Sequence, residues 1–473
     1  MMEIIFSFDT EDYVDPLSND ALLRLAQVHT RYGVPATFGL VGEKARFIHS
    51  CGRDDVVEAL TDHEVGYHSD HHFILPNWRY NHRHMPVYVA TEDWDSAMDR
   101  LLAEESRGLA DIEAIFGARP VTQLRNYGDW TPQVMCCHAR LGLPVHAYGP
   151  VFHNQDPRVV WYCNQLQVAN PRHMYESNLH DWNKSPQEKL AEWQAAILKH
   201  LEQDTPRLGW VNHPTRFIAD RWWEEPNWWD TSRDPHRREW RAPGRFSPER
   251  IEELLGIAEE LVRFVAELGG VQCRTFRDYA REYRPTRVFV SRDEIARLAA
   301  LVGERPAMVE LQGEWFSPAE LFGLFAHALG APEGGHAAER SPLRQIIGPT
   351  EEPVETQPGE AKREDLIAAA GEVEYFIRDF ARVPHRIRIG AGECGPGAFL
   401  LAMAQALRAP DAETIAVPAA DNLPVPLHDD DYEVMDKGSR TMGYIQSQSD
   451  REVPDFSRVR QQAKWQYWTV KPA

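Results

Sequence analysis

The first 285 residues of this 473-residue chain predict an α/β fold, with parallel strands and helices packed outside them as an open sheet or a barrel. Three observations predict it. Short apolar runs alternate with stretches whose apolar residues fall at helical spacing. Repeated strand–helix units of this kind imply parallel strands, because each return to the sheet uses a helix as its crossover. Asp9, His68, Arg125 and His213 each stand at or just after an apolar run. In parallel α/β folds the chemistry gathers at those carboxyl ends.

Taken in order, "EIIFSF" (3–8) suits a buried strand, and "NDALLRLAQVHTRYG" (19–33) reads as a helix ending at Gly33, a good C-cap. "VPATFGLVG" is a second strand, "RDDVVEAL" (53–60) a short helix and "EVGYHS" a third strand. A long helix is predicted over 91–117, followed by "VTQLRNYG" as a strand. Helical spacing returns at 188–202 and 247–268. "VQCRTFRDYAREY" (271–283) reads as a last strand and helix, and Pro285 marks a boundary.

Beyond it lies an internal repeat. "RPAMVELQGEWFSPAELFGLFAHALGAP" (305–332) aligns without gaps to "VPHRIRIGAGECGPGAFLLAMAQALRAP" (383–410), with Pro306/Pro384, Pro318/Pro396 and Pro332/Pro410 among the identities. Each copy reads as a strand, a tight turn and a helix with proline in its first turn. A smaller α+β domain over 286–415 is predicted, with copies near 290–332 and 365–410. The Pro- and Glu-rich stretch 348–362 is read as a mobile linker between them. Residues 416–473 form an extension in which "HDDDYEVMD" reads as a solvated acidic run.

The formal net charge is −21. Such a surface argues against non-specific binding to nucleic acid or anionic membrane, which need clustered Lys and Arg. No run approaches a membrane span, and "MMEIIFSFDTEDY" lacks the basic and apolar regions of a signal peptide. The six cysteines form no CxxC pair. They read as reduced structural thiols, Cys394 included, in a cytoplasmic protein.

Two stretches carry chemistry. "FSFDTEDY" ends a strand in three carboxylates, Asp9, Glu11 and Asp12, and "HSDHH" places His68 and His72 at i, i+4. On one side of a helical turn that spacing offers two imidazole nitrogens to one divalent ion, and a carboxylate completes a site with open positions for water. His71 and Asp70 read as spacers. His63, His82 and His84 are alternative ligands, and Ser69 reads as a turn residue.

These motifs resemble the polysaccharide deacetylase family (NodB homology, carbohydrate esterase family 4-like) over residues 1 to 285. "FSFDTEDY" is similar to its first motif, "GVPATFGLVG" to its second strand, and "HEVGYHSDHH" to its H-[S/T]-x-x-H stretch through His68, Ser69 and His72. "RNYGDW" (125–130) is similar to its arginine motif and "WVNHP" (210–214) to its late histidine strand. The resemblance implies a deformed (β/α) barrel and a divalent metal, zinc first, with cobalt, nickel or manganese as alternatives. It implies that His68, His72 and either Glu11 or Asp12 hold the metal, with Asp12 preferred. Asp9 would be the general base, Arg125 its charge partner, and His213 the general acid for the leaving amine. Tyr127, Trp130, Trp182 and Trp222 are candidates for the substrate wall. The arginine motif lacks its usual proline, and the Asp-Trp motif is matched only loosely by "HDWN" (180–183).

The implied activity is hydrolysis of a non-peptide C–N amide, removing an acetyl group from an amino sugar or glycan precursor. Another amide on the same fold, or a non-catalytic carbohydrate-binding protein, are the alternatives. The repeats loosely resemble pseudomurein-binding repeats, or they cap the enzyme or join two copies into a homo-oligomer.

Overall fold

The structure, a computed structural model, describes residues 1–72, 85–124, 131–147, 158–169, 172–175, 184–229, 236–330, 339–437 and 455–473. The chain divides into two compact units. The first comprises Met1–Pro157 and Gln167–Glu282, and the second comprises Arg158–Leu166, Tyr283–Ser439 and Asp455–Ala473.

The first unit is built on β1 (Met2–Thr10), which is buried over nearly its whole length. A strand covered on both faces needs apolar residues throughout rather than in alternation, which is why "EIIFSF" shows no period of two. One edge of β1 pairs with β9 (Arg207–Asn212), from Glu3↔Arg207 to Phe8↔Asn212. The other edge is shared: β10 (Val271–Cys273) takes Met2–Ile4, and β2 (Ala36–Leu40) takes Phe6–Thr10. From β2 the sheet continues through β3 (Glu64–Tyr67) and β4 (Thr122–Gln123) to β5 (Val145–Ala147), and from β9 to β8 (Arg172–Tyr175). Every one of these pairings is parallel. This is the α/β sheet that the alternating pattern predicts. Its aromatic centre includes Phe8 stacked on Phe38 at 4.8 Å and Trp210 edge-on to Phe6 at 5.3 Å.

The helices follow local signals. α1 (Leu17–Tyr32) stops at Gly33, whose φ of 65° is the left-handed conformation that glycine adopts freely. α2 (Gly42–Ser50), α3 (Asp54–Thr61) and α4 (Met85–Thr91) follow. The helix predicted over 91–117 starts later, as α5 (Trp94–Phe116), because the Asp93 carboxylate accepts the Ser96 N–H and caps it there. α6 (Pro132–Arg140), α7 (Pro186–Glu202), α8 (Pro248–Glu267) and α9 (Phe276–Glu282) complete the unit. The short strands β6 (Val160–Tyr162) and β7 (Gln165–Val168) fall between β5 and β8 in the chain.

In the second unit the repeat extends beyond the aligned sequence. The first copy is β11 (Phe289–Ser291), α10 (Arg292–Leu301), a hairpin of β12 (Val309–Leu311) and β13 (Glu314–Phe316), α11 (Pro318–Gly330) and β14 (Arg340–Pro342). The second is β15 (Gly359–Lys362), α12 (Arg363–Phe380), a hairpin of β16 (Ile387–Ile389) and β17 (Gly392–Cys394), α13 (Pro396–Arg408) and β18 (Thr414–Val417). A hairpin therefore stands where a single strand and turn were expected. The two copies share one apolar core that includes Phe322, Phe399 and Trp468. α14 (Asp431–Lys437), the helix Ser457–Trp465 and β19 (Lys471–Pro472), which pairs with β6, close the unit.

Two expectations are corrected here. The 348–362 stretch is tied down: Gly348 N–H donates to Gln466 Oε1 (2.8 Å), Val354 N–H to the His385 carbonyl (3.0 Å), and Thr356 Oγ1 accepts from Gly395 N–H (2.8 Å). Composition alone misjudges it because its backbone groups find partners elsewhere in the unit. The acidic run is not wholly solvated either. Asp431 is buried and accepts from the Tyr467 hydroxyl and, at 3.0 Å, from the His428 N–H.

α2 and α5 meet at glycines. A Cβ on Gly42 would overlap Asp70 Oδ1 and lie 2.9 Å from the Gly108 Cα. Overpacking of this kind costs about 1–3 kcal/mol. Gly42→Ala is expected to lower unfolding free energy by that amount in a urea titration. An unchanged midpoint would show that the two helices have room to separate.

Candidate metal centre and active site

Three strand ends deliver the site. β1 carries Asp9 and continues into Glu11; β3 ends at Tyr67 and continues into His68; β9 ends at Asn212 and continues into His213. His68 N–H donates to the Leu40 carbonyl at 2.9 Å, which prolongs the β2–β3 register by one residue. After it the chain turns sharply. Ser69 and His72 both have left-handed φ values, 73° and 61°. Non-glycine residues adopt that region at a cost and need local bonds to hold them there. Ser69 Oγ accepts from His72 N–H (2.9 Å), and the Ser69 and Asp70 carbonyls accept from Gly42 and Glu43 N–H at the start of α2. The two histidines are therefore brought together by a tight loop and not by a helical turn, which corrects that expectation. Their rings stack at 5.3 Å.

Glu11 lies between them. Its Oε2 is 3.3 Å from His68 Nε2 and 2.5 Å from His72 Nε2, and its Oε1 accepts the Trp223 indole N–H at 3.0 Å. One ligand atom from each of Glu11, His68 and His72 falls within 4.8 Å of the others, and all three residues are buried. Oε2 is buried and makes no aligned hydrogen bond. An acceptor oxygen and two imidazole nitrogens converging this way fit a divalent cation, with positions left open. The far sides of both rings are tied down, His68 Nδ1 to the Leu124 carbonyl (3.1 Å) and His72 Nδ1 to Glu224 Oε1 (2.7 Å).

The structure leaves Asp12 outside this group. Asp12 Oδ1 accepts from Val14 and Asp15 N–H (2.9 and 3.0 Å), and Oδ2 accepts from Thr215 Oγ1 (3.0 Å). The buried Lys44 ammonium donates to the Asp12 carbonyl and to Ser18 Oγ, both at 2.6 Å. Asp12 thus anchors the turn that presents Glu11.

Electrostatics match the geometry. Burial by itself raises the Glu11 carboxyl, but the His72 imidazole and contacts with His68 hold it well below the usual carboxylate range. Burial by itself lowers His72. Glu11 and Glu224 on its two sides outweigh that and push it up to about 10. Two carboxylates around one imidazole form a pocket that favours positive charge.

His213 Nε2 is 3.6 Å from Asp9 Oδ2 and 4.0 Å from Glu11 Oε1, and its ring meets Trp222 edge-on at 4.8 Å. Asp9, Glu11, His68, His72, His213 and Trp222 are thus brought together. His71 turns instead to Asp70 (2.8 Å), which burial raises but which contacts with His71 and Arg46 hold at about 2. His63 bonds the Ala26 carbonyl and Thr30 within the helical layer. Arg125, Tyr127, Trp130, Asp181 and Trp182, with His82 and His84, lie outside the described residues.

Glu224 escapes sequence reading. "RWWEEPNWWD" invites attention to its tryptophans, yet the glutamate between them is fully buried. A carboxylate inside an aromatic run requires a buried partner, and that is the signal that could have found it.

No family model and no curated protein matches the chain. In structure it is similar to a Mycobacterium smegmatis protein described as a polysaccharide deacetylase, at 15% identity over 60% of this chain and 90% of that one, with a TM-score of 0.36. It is similar to a Pseudomonas aeruginosa PAO1 protein described in the same way, at 12% identity over 60% and 93%, TM-score 0.38. It is also similar to the 4-alpha-glucanotransferase of Thermococcus litoralis, at 10% identity over 60% of this chain and 41% of that one, TM-score 0.39. The chemistry of the site rests on its own residues.

A cation that binds the folded state alone stabilises it by about 2.7 kcal/mol at a free concentration of 100 times its Kd. Adding Zn²⁺ to chelator-treated protein is expected to raise Tm, and His68→Ala should abolish the rise. Equal rises in both proteins would place the binding elsewhere.

Proposed function

We propose that this chain is a metal-dependent hydrolase that removes an acyl group, acetyl in the simplest case, from the nitrogen of an amino sugar or glycan precursor. The observation that carries this reading is the Glu11–His68–His72 group with Asp9 and His213 beside it. Its order along the chain agrees with the motif resemblance.

A divalent cation held by Glu11, His68 and His72 would act as a Lewis acid, making water a better nucleophile and polarising the acyl oxygen. Asp9, beside the group and within 3.6 Å of His213, is placed to accept the proton of the attacking water. His213, once protonated, is placed to donate from Nε2 to the leaving nitrogen, so that amine and not amide anion departs. Arg125 is assigned as the charge partner of Asp9. The half-buried Trp222 ring, edge-on to His213, offers a face at the mouth of the site on which a sugar ring can lie. Tyr127, Trp130 and Trp182 remain substrate-binding candidates on the motif resemblance alone.

Two measurements test this reading. Metal analysis of the purified chain should find a divalent ion, or binding when one is supplied. Acetate release from N-acetylated amino sugars should fall by about 10²–10⁴-fold in Asp9→Asn and in His213→Ala, the range that one general acid or base contributes. Release at the wild-type rate in Asp9→Asn would remove Asp9 from the base role. A protein that binds no divalent ion would overturn the hydrolase reading.

A further inference from the structure

Trp222, Trp223 and Glu224 are consecutive, and each reaches a different part of the site. Trp222 packs edge-on against His213 at 4.8 Å and donates its indole N–H to Glu224 Oε2 at 3.0 Å. Trp223 donates its indole N–H to Glu11 Oε1 at 3.0 Å, with its ring 6.0 Å from that of His72. Glu224 places its other oxygen 2.7 Å from His72 Nδ1. Trp223 and Glu224 are both fully buried. The segment is itself held: the Glu224 carbonyl accepts from Asn227 and Trp228 N–H (3.1 and 2.9 Å), and the Trp223 ring packs on Tyr13 at 4.7 Å and Trp228 at 5.7 Å.

We propose that Trp222-Trp223-Glu224 is a positioning clamp that presets two of the three metal ligands and ties them to the general acid. This inference rests on the metal-site reading above. In the neutral form that a metal ligand takes, a carboxylate at Nδ1 keeps the one remaining proton on that nitrogen, so the lone pair of His72 would lie on Nε2, the atom facing Glu11 Oε2. An indole N–H can only donate. Trp223 therefore occupies Glu11 Oε1 and leaves Oε2 as the ligating oxygen. Between them the two contacts fix which nitrogen and which oxygen face the cation, and how each side chain is turned. Trp222 shares the Glu224 carboxylate with His72 and also packs on His213, so one side chain joins the ligand side of the site to its acid.

Simple aromatic packing would account for the burial of these rings, and the two accounts differ in what they require of single atoms. The test is Zn²⁺ affinity, measured by competition with a chromophoric chelator, for the full chain and for Glu224→Ala, Glu224→Gln and Trp223→Phe. The absorption spectrum of the Co²⁺-loaded protein is recorded alongside. The clamp predicts Zn²⁺ binding weakened by about 10–100-fold in Glu224→Ala, the usual cost of losing such an outer contact. Glu224→Gln keeps an acceptor oxygen for Nδ1 and should recover part of the loss. Trp223→Phe keeps the packing but removes the N–H, and should weaken binding and alter the Co²⁺ bands. Wild-type affinity and spectrum in Trp223→Phe together with Glu224→Gln would overturn the clamp, whether or not Glu224→Ala folds. That result, with Zn²⁺ still bound by the parent chain, leaves the hydrolase reading standing. Failure of the parent chain to bind Zn²⁺ or Co²⁺ would overturn both.

Discussion

A buried carboxylate has to be paired, and much of the first unit around the site is arranged to pair Glu11. An isolated charge in a low-dielectric interior is costly enough that the chain must bring opposite charge or donors to it. Here they arrive from three places far apart in sequence: the loop after β3 with His68 and His72, the end of β9 with His213, and the aromatic segment with Trp223. The central place of β1 serves the first two, because a central strand has neighbours on both edges, β9 on one and β2 with β3 beyond it on the other. The divided edge of β1 serves this. β10 pairs only with its first residues, so β2 and the β3 loop beyond it can stand next to Asp9 and Glu11.

The backbone of this arrangement was legible in sequence because it follows burial. Apolar runs marked β1, β2 and β3, Gly33 marked the end of α1, and the polar residues just after the runs marked the face on which chemistry collects. The choice between Glu11 and Asp12 was not legible. The backbone N–H groups of Val14 and Asp15 bond the Asp12 carboxylate and leave that of Glu11 facing the two histidines, and both residues are equally acidic on paper. The HxxxH spacing of His68 and His72 suits a helical turn, and the loop achieves the same convergence through two left-handed residues, for which spacing carries no signal. Glu224 was hidden among tryptophans because its partner is 152 positions away in the chain.

In the second unit, composition is a poor guide to the 348–362 stretch. The Pro- and Glu-rich 348–362 stretch has the make-up of a free linker. Its backbone and hydroxyl groups are nevertheless claimed by Gln466, His385 and Gly395. The constant offset of the repeat depends on two chains of the same length folding alike. It holds through every bound of both hairpins and their following helices, from Val309 and Ile387 to Gly330 and Arg408. Cys394, which the sequence reads as a structural thiol, sits buried in the second hairpin with its thiol pushed up to about 12 by burial and the nearby Glu393.

The pairing of the outer strands in each copy has a further meaning. β11 lies antiparallel to β14, and β15 lies antiparallel to β18. Each copy therefore begins and ends side by side, so the chain enters and leaves it at one place. A segment with adjoining ends can be duplicated, exchanged or excised as a cassette, since the flanking chain has almost no gap to bridge when it is gone. Such a geometry permits a repeat to arise by tandem duplication within a gene without first inventing a connector.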